Sequence, residues 1–169
     1  RSPEGRRIRE AFVPGKGSVI LSADYSQGEL RILAHLSCDT SLIETFKKDE
    51  DIHAATAAEI FHVPPEQVNP EMRRLAKVIN FGIIYGMSAF GLSKELAIPP
   101  SVAQAYIANY FQKYHGVRDY IDKSLELARE RGYATTIMNR RRYLPDIASN
   151  NRSVRQFAER IAINAPIQG

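Results

Sequence analysis

Cysteine is nearly absent from this 169-residue chain, where Cys38 stands alone. No internal disulfide can form. A single thiol without Cys/His spacing of the metal-binding kind fits a reducing cytoplasm, and Cys38 reads as a small packing residue. Long apolar runs are lacking too. The longest charge-free stretch, 78–93, is interrupted by Asn80, Ser88 and three glycines. It falls short of the roughly 20 residues a membrane span needs, so it reads as a buried helix and a turn, with no membrane expected as a partner. There is no internal repeat, low-complexity tract or long linker. The start, Arg1-Ser2-Pro3, carries no signal or transit pattern and has the look of the middle of a gene product.

What is present suits a globular domain that buries a real core. Hydrophobic residues make up 44% and charged residues 25%, and the length allows one domain to one and a half. The formal charge of +4 is a weak pointer to a polyanionic partner, and its distribution says more. From Cys38 to Glu71 eight acids and two lysines give −6, whereas from Arg129 to Arg160 eight arginines and three acids give +5. The acidic stretch reads as a solvated face. The arginine-rich stretch is where phosphate contacts are expected.

Periodicity and caps predict an α+β chain that is mostly α-helical. The β-branched, apolar run 18–23 follows the turn Gly15-Lys16-Gly17 and predicts a strand. A helical period then covers 29–36, so Asp24 sits where strand gives way to helix. Further helices are expected over 51–61, which stops before Pro64-Pro65, and over 69–86, opened by Asn69 as cap and Pro70 at the first position. Ser101 and Gln104 suggest a capping box for a helix reaching about Tyr114. The next helix, 117–131, ends at Gly132. A short β-hairpin over 133–144 turns near Asn139. A last helix, 153–164, is expected to stop near Pro166.

Two constellations carry chemistry. In the first, Asp24 precedes Glu29 by five residues. A carboxylate at a strand end can ligate a hard cation such as Mg²⁺, which takes oxygen ligands and few of them from protein; equally, Asp24 could cap the following helix. In the second, Arg73, Lys77, Phe81 and Tyr85 recur every four residues along one helix, a stripe about 18 Å long. Cations lie toward its start and aromatics toward its end. Arg forks onto phosphate oxygens, Lys offers a point charge and a proton, and an aromatic face stacks on a base or sugar. The alternative is an amphipathic helix with a basic first turn and an aromatic core stripe. Cations near a helix N-terminus oppose the helix dipole, so Arg73 and Arg74 want an acidic or external partner.

Together the two blocks, DYSQ-x-ELR and RR-x-x-K-x-x-x-FG-x-x-YG, resemble motifs A and B of the family A DNA polymerases. The likeness runs from about Gly5 to Gly169, through AHLS at 34–37, Asp51-Ile52-His53, GMSAFGLS at 86–93, RRRYLPD at 140–146 and the closing NAPIQG. It implies a helical fingers subdomain over 41–169, a strip of palm with motif A over 1–40, and a return toward the palm at about 150–169. It also implies template-directed DNA synthesis, by nucleotidyl transfer to a primer 3′-hydroxyl with release of pyrophosphate. Asp24 would be the first of two metal-binding catalytic aspartates, with the Tyr25 carbonyl beside it, for two Mg²⁺ ions in the complete enzyme. Glu29 would lie against the nucleotide sugar and exclude a 2′-hydroxyl, with Gln27 lining the same pocket. His53, Arg73 and Lys77 would hold the triphosphate, Lys77 also serving as general acid. Phe81 would meet the sugar and Tyr85 the templating base. Arg160, Asn164 and Gln168 would follow the primer-template minor groove, although the bare sequence reads that face as solvated. The implied partners are DNA primer-template, deoxynucleoside triphosphates and the rest of the polymerase chain, including palm and thumb. The implied location is the cytoplasm, at the nucleoid in a bacterium.

Two features depart from the family pattern. A third motif, His-Asp-Glu, which carries the second aspartate, does not occur, so the isolated chain is expected not to polymerise. Gly28 stands where the family has a bulky apolar residue, which predicts a less rigid Glu29. Two other readings compete. A non-catalytic helical module could bind nucleic acid through Arg140–Arg142 and the last helix. A metal nuclease could use Asp24 with Asp49, Glu50, Asp51 and His53.

Overall fold

The computed structural model describes residues 3–169. Helices dominate, in the order α1 (Pro3–Glu10), α2 (Gly28–Ser37), α3 (Thr40–Lys47), α4 (Ile52–Phe61), α5 (Pro70–Ile84), α6 (Ala89–Leu96), α7 (Pro100–Lys113), α8 (His115–Arg131) and α9 (Arg152–Gln168). Between α8 and α9 lies an antiparallel hairpin, β1 (Tyr133–Thr135) with β2 (Arg141–Tyr143), paired in the register Tyr133 to Tyr143. The mostly helical class and the late hairpin are as the sequence predicts.

Caps account for where several helices start. Asp39 accepts from the Leu42 N–H at 2.9 Å to open α3 and from the Gly116 N–H at 2.9 Å to bind α8 to it. Asp51 accepts from the N–H groups of His53 and Ala54 to open α4. Asn69 accepts from the Met72 N–H at 2.9 Å, with Pro70 at the first position of α5. Such caps satisfy amides that the first turn leaves orphaned.

The main core joins Leu30 and Leu33 of α2, Leu42 of α3, Ile52 and Ile60 of α4, Ile79, Ile83 and Ile84 of α5, Tyr110 of α7 and Ile167 of α9. A second cluster under the hairpin holds Ala128, Ala134, Leu144, Ile147, Ala158 and Ala162. Burying one such aliphatic side chain contributes roughly 1.5–3 kcal/mol. The main core therefore fixes α5 against α4 and α2, which brings the two motifs together.

Four expectations are corrected. The stretch 18–23 forms no strand; it is exposed along its length and has no sheet neighbour among the described residues, and a strand cannot persist without a partner for its backbone groups. The Ser101–Gln104 capping box does not form, because Pro99 occupies the cap position and Pro100 the first position of α7. The last helix runs through Pro166 to Gln168. Only one helical bond is missing there, so close to the end, and the Gly169 N–H still reaches the Ala165 carbonyl at 3.0 Å. The stretch 78–93 is more than one helix and a turn, since α6 begins within it, capped by Ser88.

Candidate functional site

An open cavity of about 780 Å³ lies between α2, α4, α5 and the end of α9. Asp24, Tyr25, Gln27, Glu29, His53, Arg73, Lys77, Phe81, Tyr85 and Gln168 all line it. Its size is that of small-molecule sites generally, about 300–1,000 Å³. Every residue that the family resemblance implies for nucleotide or metal lines this one cavity.

The wall is built element by element. On α5, Ala76, Ile79 and Ile83 turn inward, which leaves Arg73, Lys77, Phe81 and Tyr85 along the opposite side. The rings of Phe81 and Tyr85 stack with centroids 6.3 Å apart, and Phe81 meets the His53 ring at 5.9 Å. Just past α5 comes Gly86, whose φ of +62 suits glycine, and a Cβ there would press on the Arg160 side chain of α9 at 3.0 Å. On the facing side Gln27 precedes α2 in a left-handed conformation, φ 56 and ψ 34, without a side-chain cap bond. A non-glycine residue held there is uncommon and marks local strain. Asp24 does not cap α2, which removes that alternative; it is exposed in the loop before the helix.

Polar contacts tie the wall to itself. The Tyr85 hydroxyl donates to Glu29 at 2.8 Å. Burial raises its pKa first and Glu29 adds to that, while Gln168 opposes it. Arg73 Nε donates to Asp51 at 2.6 Å and Arg74 pairs with Glu71, so both cations near the start of α5 find acidic partners. Burial raises the pKa of Asp51, but Arg73 and the two capping N–H groups outweigh it and hold the carboxyl below its usual value. His53 is buried, and burial lowers its pKa; Arg73 and Lys77 lower it further against Asp51, to about 4. His53 is therefore neutral at pH 7.

The residues expected to follow DNA are divided. Arg160 lines a second cavity of about 470 Å³ beside Gly86, together with Tyr85, Ser88 and Glu159. Gln168 borders the main cavity and also a basic groove with Arg140, Arg141 and Arg142. Asn164 keeps a buried Oδ1 without a partner among the described residues. Sequence reasoning missed Asp51 as the partner of Arg73 and Asn80 behind His53. The cap position ahead of an alanine-rich helix was the available signal for Asp51.

Mg²⁺ takes oxygen ligands and commonly only one or two carboxylates, with water and phosphate completing the shell. The Asp24 carboxylate and the Tyr25 carbonyl suit such a partial set. Among the described residues no three His, Cys, Asp or Glu side chains converge, which removes the nuclease cluster of Asp49, Glu50, Asp51 and His53. No helix of the described residues is long and apolar enough to cross a membrane.

Fold and cavity define a helical domain that can hold a ligand with an anionic end and an aromatic end. The chain belongs to DNA polymerase family A, whose family model matches residues 1–169. It is 54% identical over 169 residues to DNA polymerase I of Pseudomonas aeruginosa and 54% identical to the thermostable DNA polymerase I of Thermus aquaticus. DNA polymerase I of Bacillus subtilis is 52% identical over 170 residues. Each match covers all of this chain but only 18–20% of the relative, so the chain spans about a fifth of their length. The POL domain of Pol1 from M. smegmatis, solved in complex with DNA primer-template and dNTP, superposes with a TM-score of 0.86 at 48% identity, covering 100% of this chain and 30% of that one.

Proposed function

We propose that this chain is the nucleotide-binding part of an enzyme that copies DNA, joining deoxynucleotides to a primer 3′-hydroxyl with release of pyrophosphate. One observation carries the reading: Gln27, Glu29, His53, Arg73, Lys77, Phe81 and Tyr85 share a single cavity wall. The triphosphate lies along Arg73, Lys77 and His53, where a bidentate fork, a point charge and a neutral N–H spread its charge. Phe81 and Tyr85 take the sugar and base end, and Glu29, held by Tyr85, closes the space a 2′-hydroxyl would need. Lys77 is the general acid for the departing pyrophosphate.

Mg²⁺ held by Asp24 and the Tyr25 carbonyl would supply Lewis-acid polarisation of phosphate oxygens. The second aspartate of such a site lies outside this chain's motifs, as do thumb and most of the palm. In this reading 1–40 is palm, 41–169 is fingers, and 150–169 returns to the palm. DNA follows Arg160, Asn164, Gln168, Tyr85 and the groove of Arg140–Arg142, and the complete enzyme works in the cytoplasm, at the nucleoid of a bacterium.

Photo-crosslinking with an azido-deoxyadenosine triphosphate tests the assignment. Label is expected within the peptide spanning Arg73 to Tyr85, and excess unlabelled triphosphate should prevent it. Label confined to the Arg140–Arg142 groove would favour the non-catalytic nucleic-acid module instead.

A further inference from the structure

His53 is held from behind. Its Nδ1 lies 3.0 Å from the amide nitrogen of Asn80, a fully buried residue of α5. An amide nitrogen donates and does not accept, so Nδ1 is the acceptor and the proton of the neutral ring sits on Nε2. The neighbouring protons agree. Thr56 has one hydroxyl proton, which goes to the Ile52 carbonyl at 2.7 Å. Its oxygen then accepts from Asn80 at 3.2 Å and from the Tyr114 hydroxyl at 3.3 Å. Tyr114 keeps its proton, since burial pushes its pKa up to about 12. Thr56 of α4 and Tyr114 at the joint between α7 and α8 thus back Asn80 of α5, which alone among them meets one nitrogen of His53. The other, Nε2, has no partner among the described residues, and His53 borders the cavity with Arg73 and Lys77.

We propose that Asn80 is a positioning residue that fixes His53 as a neutral Nε2–H donor toward the phosphate oxygens of the incoming triphosphate. This rests on the nucleotide reading of the cavity. A neutral donor adds a hydrogen bond without placing a third positive charge beside Arg73 and Lys77. An aspartate at position 80 would have nearly the same shape and the opposite polarity. It would draw the proton to Nδ1 and turn the Nε2 lone pair toward the phosphates.

Nitrogen NMR of the 15N-labelled 169-residue chain reads the proton directly. In the wild type, Nε2 of His53 is expected as a protonated and Nδ1 as an unprotonated nitrogen at pH 7.5; in Asn80→Asp, Nδ1 becomes protonated. Proton on Nδ1 in the wild type would overturn the proposal, with no variant needed. The second arm is dATP affinity with Mg²⁺. Asn80→Asp should weaken it on the order of tenfold, the worth of a hydrogen bond to a charged group. In the His53→Leu background the same change should weaken it at most about twofold, because a buried carboxyl without a partner stays protonated. Equal losses in both backgrounds would make Asn80 merely structural and overturn the proposal. If the wild-type proton sits on Nε2 but His53→Leu leaves dATP affinity unchanged, the nucleotide reading of the cavity fails, and the phosphate role of His53 fails with it.

Discussion

The Tyr85 hydroxyl donates to the Glu29 carboxylate across 2.8 Å, so the end of α5 is tied to the first turn of α2. The two residues are 56 apart in sequence and belong to different motifs. The bond closes one end of the cavity and sets where Glu29 stands. Tyr85→Phe removes it and leaves the ring. Because both groups are partly exposed, stability should change by less than about 1 kcal/mol. The preference for deoxyribonucleoside over ribonucleoside triphosphates should fall, measured as a ratio of affinities; an unchanged ratio would show that the tie does not position Glu29.

Gly28 opens α2, and its φ lies outside the left-handed region. A methyl group there would meet only Tyr25 Cβ at 3.3 Å, and Tyr25 is exposed and can yield. Gly28→Ala should therefore stabilise the chain by about 0.4–1 kcal/mol through the unfolded state, read from urea midpoints. Destabilisation would mean that the space beside Glu29 is needed open.

Acid should destabilise the chain through His53. Its pKa is about 4 folded and 6.5 in the reference state, so the unfolded chain binds the extra proton between these values. Stability is then full above about pH 6.5 and falls as pH drops toward 4. At about 1.4 kcal/mol per pH unit the loss is on the order of 3 kcal/mol. Asp51 adds its own loss only below its usual 3.8. Urea midpoints from pH 7 to 4 should show the slope in the wild type and not in His53→Leu.

Arg73→Ala separates structure from binding. Its pair with Asp51 is about half exposed, so stability should fall by less than about 1 kcal/mol. Triphosphate affinity should fall roughly tenfold or more. A large stability loss with unchanged affinity would make the pair an architectural clamp.

Much of the site was legible because its signals are local. Asn69-Pro70 started α5, Gly132 ended α8 with φ 74, and Asn139 turned the hairpin with φ 58. The fourfold spacing from Arg73 to Tyr85 then followed from helix geometry alone. What was missed depends on distance or competition. The short helices α3 and α6 carry few periodic positions, although Asp39 and Ser88 cap them. A strand at 18–23 needs neighbours that the described residues do not supply. The pairs Arg73–Asp51, Tyr85–Glu29 and Asn80–His53 join segments 22, 56 and 27 residues apart, and no local pattern announces them. At Pro166 the local stop signal lost, because so near the helix end it removes only a single bond.

The cavity's claim to a triphosphate turns most directly on Lys77. The measurement is a calorimetric titration of the chain with a deoxynucleoside triphosphate and Mg²⁺, beside Lys77→Ala. The account predicts saturable one-to-one binding that weakens roughly 10- to 100-fold in the variant, as the loss of a charge-assisted hydrogen bond requires. Equal affinity in the two proteins would contradict it.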